Sequence, residues 1–136
     1  MHRIVRGAVC SAAVTGLALG LSSCSGTVDQ VDKAVSETYE VTYEVTGKNV
    51  DSIDFHGGGG TAAKPKIESV SKPKLPWTKT VTLRGIMPAA VMPVATDPEG
   101  AEVACKITHK GKVLEEQSAK GLVTAGGCIA ESPVTE

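Results

Sequence analysis

The side chains best able to do chemistry are four cysteines and three histidines. Beyond residue 24 they reduce to Cys105, Cys128, His56 and His109. Two thiolates and one or two imidazoles could hold a metal, and Cys105, His109, Cys128 and His56 are the set that would do it. Zinc sites usually bring their ligands in tighter pairs such as Cys-x2-Cys, and that spacing does not occur here. In an exported domain, an even pair of cysteines reads instead as a disulfide. His56-Gly57-Gly58-Gly59 is like the oxyanion segment of some esterases, but that chemistry also needs a Gly-x-Ser-x-Gly elbow, which this chain lacks. No Gly-Lys-Ser/Thr follows the glycines, so they are not a phosphate loop either. The expectation is a protein without catalytic residues, cofactor or metal. Gly57, Gly58, Gly59 and Gly60 then read as a flexible hairpin loop where a partner could dock.

Cys24 has a different setting. Arg3 and Arg6 form a short positive region, and residues 7–21 are apolar and uncharged. This is the layout of a secretory signal peptide. An apolar run of about 15 residues falls short of the ~20 that a spanning helix needs. The run ends in Leu21-Ser22-Ser23-Cys24, which resembles the bacterial lipobox. That resemblance implies cleavage after Ser23 and acyl chains on Cys24, which would hold the chain to the extracytoplasmic face of the cell membrane. Two or three acyl chains anchor stably where one binds only marginally. Residues 1–23 are thus expected to be removed, and residues 24–38 to form a lipidated tether. Val28, Val31 and Val35 in this segment also fit a short amphipathic helix.

Removing residues 1–23 leaves 113 of the 136 residues, enough for one small domain. Lys plus Arg then falls from 14 to 12 against 15 Asp plus Glu. So slightly acidic a chain is not a nucleic-acid binder on charge grounds. One Trp, one Phe and two Tyr are also too few for a platform that stacks bases or sugars.

From residue 39 the apolar period is two. Tyr39, Val41, Tyr43 and Val45 point one way, with Glu40, Thr42, Glu44 and Thr46 opposite. A less regular strand through Val50, Ile53 and Phe55 comes next, then the glycines, then a short strand over 64–70. Residues 77–86 and 91–95 continue the series, with Trp77 read as core. Val103, Cys105 and Ile107 face inward on the next strand. Lys110-Gly111 turns it back into 112–118, and a last strand leads from Gly121 to Cys128. Short strands with turns every ~8–12 residues indicate an all-β sandwich or barrel. Residues 39–130 are the domain, and 131–136 are a solvated tail.

Lys64, Lys66, Lys72, Lys74 and Lys79 fall within 16 residues. As a stripe, the first four could meet anionic headgroups or an acidic partner. The plainer reading, which we favour, is an edge strand whose lysines, with Pro65 and Pro73, discourage pairing with another sheet.

The order of Tyr39-Glu40-Val41-Thr42-Tyr43-Glu44-Val45-Thr46-Gly47, Leu75-Pro76-Trp77, Val103-Ala104-Cys105-Lys106-Ile107, the Lys110-Gly111 turn and Cys128 resembles the MmpS family of actinobacterial small membrane proteins. The resemblance implies an immunoglobulin-like β-sandwich of about seven strands outside the membrane, bridged by Cys105 and Cys128. It also implies an accessory role beside MmpL-like transporters of the resistance-nodulation-division class, which export lipids or siderophores. Better-known members keep an N-terminal membrane helix, where this chain has a lipobox. The alternative function is a stand-alone envelope lipoprotein that binds a hydrophobic or lipid ligand between its sheets.

Overall fold

The computed structural model describes residues 31, 32, 34–97, 99–120 and 127–135. Eight strands run in chain order: β1 (Thr38–Lys48), β2 (Ser52–Thr61), β3 (Lys64–Ser71), β4 (Trp77–Arg84), β5 (Ala89–Val94), β6 (Glu102–His109), β7 (Lys112–Lys120) and β8 (Cys128–Ala130). They form two four-stranded antiparallel sheets, β4-β1-β6-β7 and β3-β2-β5-β8. The expected β-sandwich is formed, with one strand more than the seven anticipated.

Alternation explains the first sheet. Tyr39, Val41, Tyr43 and Val45 of β1 are all buried, as are Val103, Cys105 and Ile107 beside them on β6. The opposite face carries pairs such as Thr42 and Thr80, whose hydroxyls meet at 3.0 Å. Lys110 and Gly111 both have positive φ, the conformation of the two-residue turn that matches strand twist. Leu114 is an extra residue in the β6–β7 ladder, where the register shifts between Ile107 and Thr108. This bulge turns Leu114 onto the core.

The second sheet is less regular. β5 is almost wholly apolar and lies between β2 and β8. Pro93 fits there because β8 reaches only Ala89, Ala90 and Val91, so no ladder bond is asked of the Pro93 nitrogen on that side. Between the sheets sit Tyr43, Ile53, Phe55, Leu83, Met87 and Ile107. The Phe55 ring lies 5.9 Å from Tyr43 and 5.2 Å from Trp77. Trp77 is packed on the core but only partly buried, since it opens β4 at the rim.

The registers give the sandwich two ends. At the near end, β1 begins and the connections after β2, β4 and β6 turn. The far end holds the connections after β1, β3, β5 and β7.

Candidate docking surface

Cys105 on β6 and Cys128 on β8 are joined across the two sheets, with Sγ–Sγ 2.14 Å and Cα–Cα 5.9 Å. Both are buried, and the bond uses the two thiols that the metal reading needed. The histidines lie on opposite sheets. Nδ1 of His56 donates to the Pro88 carbonyl at 2.8 Å, and Nδ1 of His109 to the Glu40 carbonyl at 2.7 Å. Cys24 and the signal segment lie outside the described residues.

The glycine run is not the loop that its composition indicated. Gly57, Gly58, Gly59 and Gly60 are the second half of β2: Gly60 pairs with Pro65 of β3, and the other three fall in the register shift between His56 and Gly60. The reason is steric. Gly58 has φ +93°, and a Cβ there would lie 2.2 Å from the Thr82 carbonyl oxygen of β4. β2 thus passes close to a strand of the opposite sheet where a side chain would not fit. A Cβ at Gly57 would meet the Glu68 side chain at 2.4 Å.

Lys64 and Lys66 lie on β3, which is an edge strand. Lys72 and Lys74 follow its other end, where Lys72 N donates to the Asp51 carbonyl at 2.7 Å. An eight-residue strand is ~26 Å long, so Lys64 is at the near end and Lys72 and Lys74 at the far end. The structure brings Gly60 and Lys64 together at the hairpin tip, but does not gather the four lysines into one patch.

At the near end, Val31, Asp32 and residues 34–36 are helical, as the spacing of Val31 and Val35 allowed, so this part of the expected tether is structured. It lies on the β4–β5 connection: Gly85 N donates to the Glu37 carbonyl at 2.6 Å, and a Cβ at Gly85 would sit 2.6 Å from the Val35 oxygen. That connection is fixed from several sides. Ser132 Oγ donates to the Gly85 carbonyl at 2.6 Å, the Tyr39 hydroxyl donates to the Met87 carbonyl, and His56 holds Pro88. Ser132 is buried, and Val134, in the 3-10 turn Pro133–Thr135, packs on the core. Ser132 and Val134 are therefore structural rather than part of a solvated tail, Ser132 because the Gly85 carbonyl needs a donor. Burial raises the pKa of Tyr39, with Ser132 opposing, and raises that of Tyr43 more strongly. Both phenols therefore stay protonated and act as donors.

Ile86 projects from this fixed turn and is 52% exposed, as is Val35. Together with Ala62 they form the apolar part of a groove of about 470 Å³ whose polar residues include Asp32, Thr61 and Arg84. Met87, the next residue, is fully buried. The sequence placed Ile86 in a strand over 77–86. β4 instead ends at Arg84, and the signal that could have shown it is Gly85, which takes a positive φ there.

Residues 9–133 match a family described as "Mycobacterium membrane protein". The chain is 29% identical over 96 residues to the "Siderophore export accessory protein MmpS5" of Mycobacterium tuberculosis. The "Probable transport accessory protein MmpS5" of Mycobacterium bovis is similar to the same extent. These alignments cover 68% of this chain and 61% of each relative, so the chain spans less than two thirds of the length of those relatives. The repeating Tyr and Val of β1, the bridged cysteines and the two-sheet fold thus sit within a family match that runs through nearly the whole chain: this protein belongs to the MmpS family of mycobacterial membrane proteins.

Proposed function

We propose that this protein is a non-enzymatic accessory subunit of an MmpL-like exporter of the resistance-nodulation-division class, whose cargo is a lipid or siderophore. It is held to the extracytoplasmic face of the cell membrane by acyl chains on Cys24. The observation that carries this reading is the match of the chain to relatives named as a probable transport accessory protein and a siderophore export accessory protein. The Cys105–Cys128 bridge supports placement outside the cytoplasm, where disulfides persist. The lipobox supplies the anchor. A stand-alone protein that held a lipid between its sheets would need room there, and Tyr43, Phe55, Leu83 and Ile107 fill the centre of that interior.

The test is a crosslinked pull-down of the tagged full chain from native membranes, read by mass spectrometry together with the intact mass of the chain itself. The expected outcome is specific recovery of a resistance-nodulation-division transporter, and a mass with Cys24 first plus lipid. An unlipidated mature chain would remove the anchor. A correctly lipidated chain that brings down no transporter would overturn the accessory role.

A further inference from the structure

Six large apolar side chains are exposed among the described residues: Val31, Val35, Ile67, Ile86, Val113 and Ile129. All but Ile67 lie in the near half of the sandwich. Ile67 stands midway along edge strand β3. Scattered exposed aliphatics need no explanation, but a cluster rimmed by polar groups marks an interaction site. Ile86 is the clearest member. Its turn is held by hydrogen bonds from Tyr39, His56 and Ser132, so the side chain is presented on a rigid support. Hot-spot residues bind best from such supports, because little conformational freedom is lost on contact.

Two further observations narrow the occupant. The first is reach. Val31 lies seven residues beyond Cys24, and even fully extended that stretch spans at most ~25 Å. With Cys24 lipidated, the near end stays close to the membrane, within range of proteins embedded in it. The second is the chemistry of the rim. Asp32 and Arg84 give it both signs of charge, and Ser36 and Thr61 line it as well. The attraction of Arg84 for an anionic headgroup layer is offset by the repulsion from Asp32, and an acyl chain has no use for either ion. An apolar patch within a mixed polar rim is the make-up of a protein–protein interface.

We propose that the groove framed by Val35, Ala62 and Ile86 seats an apolar side chain presented, near the membrane surface, by the extracytoplasmic part of the exporter. Ile86 and Val35 pack against that side chain, and Arg84 and Asp32 meet polar groups of the partner that flank it. This rests on the accessory reading and adds the docking face. The lysines at the far end take no part in it.

A photoreactive benzoylphenylalanine placed at position 86 of the full chain, in native membranes, tests it against the same group at position 74 of the far end. The Ile86→Asp and Val35→Asp variants are run beside these in the pull-down. Both positions are exposed, so each variant keeps the melting midpoint of the parent. The expected result is a crosslink to the transporter from position 86 and none from 74, with recovery of transporter reduced tenfold or more by either aspartate. If the parent chain recovers the transporter but the crosslink comes from position 74, or both aspartates leave recovery unchanged, the docking face is wrong and the accessory role stands. Crosslinks from position 86 to lipid alone, or to a second copy alone, also overturn the proposal. Recovery of no transporter by the parent chain removes the accessory role and the docking face together.

Discussion

At the far end of the sandwich, Asp51 accepts from Thr96 N at 2.7 Å and from Thr96 Oγ1 at 2.6 Å. Asn49 Nδ2 donates to Asp97 at 3.1 Å, and Lys120 pairs with Glu102 at 3.1 Å. These groups are exposed, and they tie the turns from outside. At the near end, the turn carbonyls of Gly85, Met87 and Pro88 are held from within by Ser132, Tyr39 and His56. The outer surface there carries Val35, Ala62 and Ile86 within a rim that includes Asp32, Thr61 and Arg84. The polar side chains that hold the near-end turn act from inside it. The two ends therefore divide the labour: one has its turns tied by exposed polar contacts, and the other has its turn held from within and leaves an apolar groove open inside a polar rim.

The disulfide offers the largest test of this contrast. Cys105 sits on β6 opposite Val45, and Cys128 opens β8 opposite Val91. With a sequence separation of 23, loop-closure entropy predicts that Cys105→Ala with Cys128→Ala costs about 3 kcal/mol. Urea unfolding should show the midpoint fall accordingly. Hydrogen exchange in the double variant should show β6 and β8 losing protection before the Gly85–Met87 turn does. A loss below about 1 kcal/mol, against the 2–5 usual for a small domain, would mean that the internal hydrogen bonds of the near end hold the sandwich by themselves.

Gly58 tests how the two sheets meet. Alanine there would need a positive φ and would place its methyl 2.2 Å from the Thr82 oxygen. Gly111 has a comparable φ of +80°, with nothing within 4 Å of the added methyl. Gly58→Ala should therefore cost roughly 2–3 kcal/mol and Gly111→Ala only about 1, the difference being the steric share. Thermal unfolding of the two variants reads this directly. Equal losses would show that β2 can shift away from β4, and that the approach of the sheets is not a constraint.

The same glycines mark where reading the sequence stops. Tyr39, Val41, Tyr43 and Val45 disclosed β1 because a strand with one buried face must alternate, and Val103, Cys105 and Ile107 did so for β6. Gly57–Gly60 have no side chains to alternate, so their strand is visible only once Thr82 is seen beside them. Ile86 looked like the end of an apolar run, and its exposure depends on Gly85 turning the chain over Val35. Ser132 looked like tail until the Gly85 carbonyl needed a donor. Local pattern disclosed the strands of one sheet well. The docking groove is built from the segment before β1 and the connections after β2 and β4, far apart in sequence, and no local pattern encodes their meeting.

The far-end ties should show themselves in acid, as the smallest of the three effects. The Thr96 hydroxyl and amide hold the Asp51 carboxyl below its ordinary pKa. Lys120, by hydrogen bond and charge, with Lys48 adding to it, does the same for Glu102. A depressed carboxylate stabilises the fold while ionised. That contribution is complete above the unfolded values and is lost as pH falls through the lower folded ones, here below about pH 4. The melting midpoint should drop in that window, and Asp51→Asn with Glu102→Gln should flatten the drop. Added salt separates the two groups. It screens the exposed Lys120–Glu102 pair, while leaving the short hydrogen bonds from Thr96 to Asp51 largely in place. If the double variant traces the parent's acid profile, the far end owes nothing measurable to these ties. The bridge and the core would then hold that end, and the contrast between the ends would reduce to which one leaves its apolar side chains uncovered.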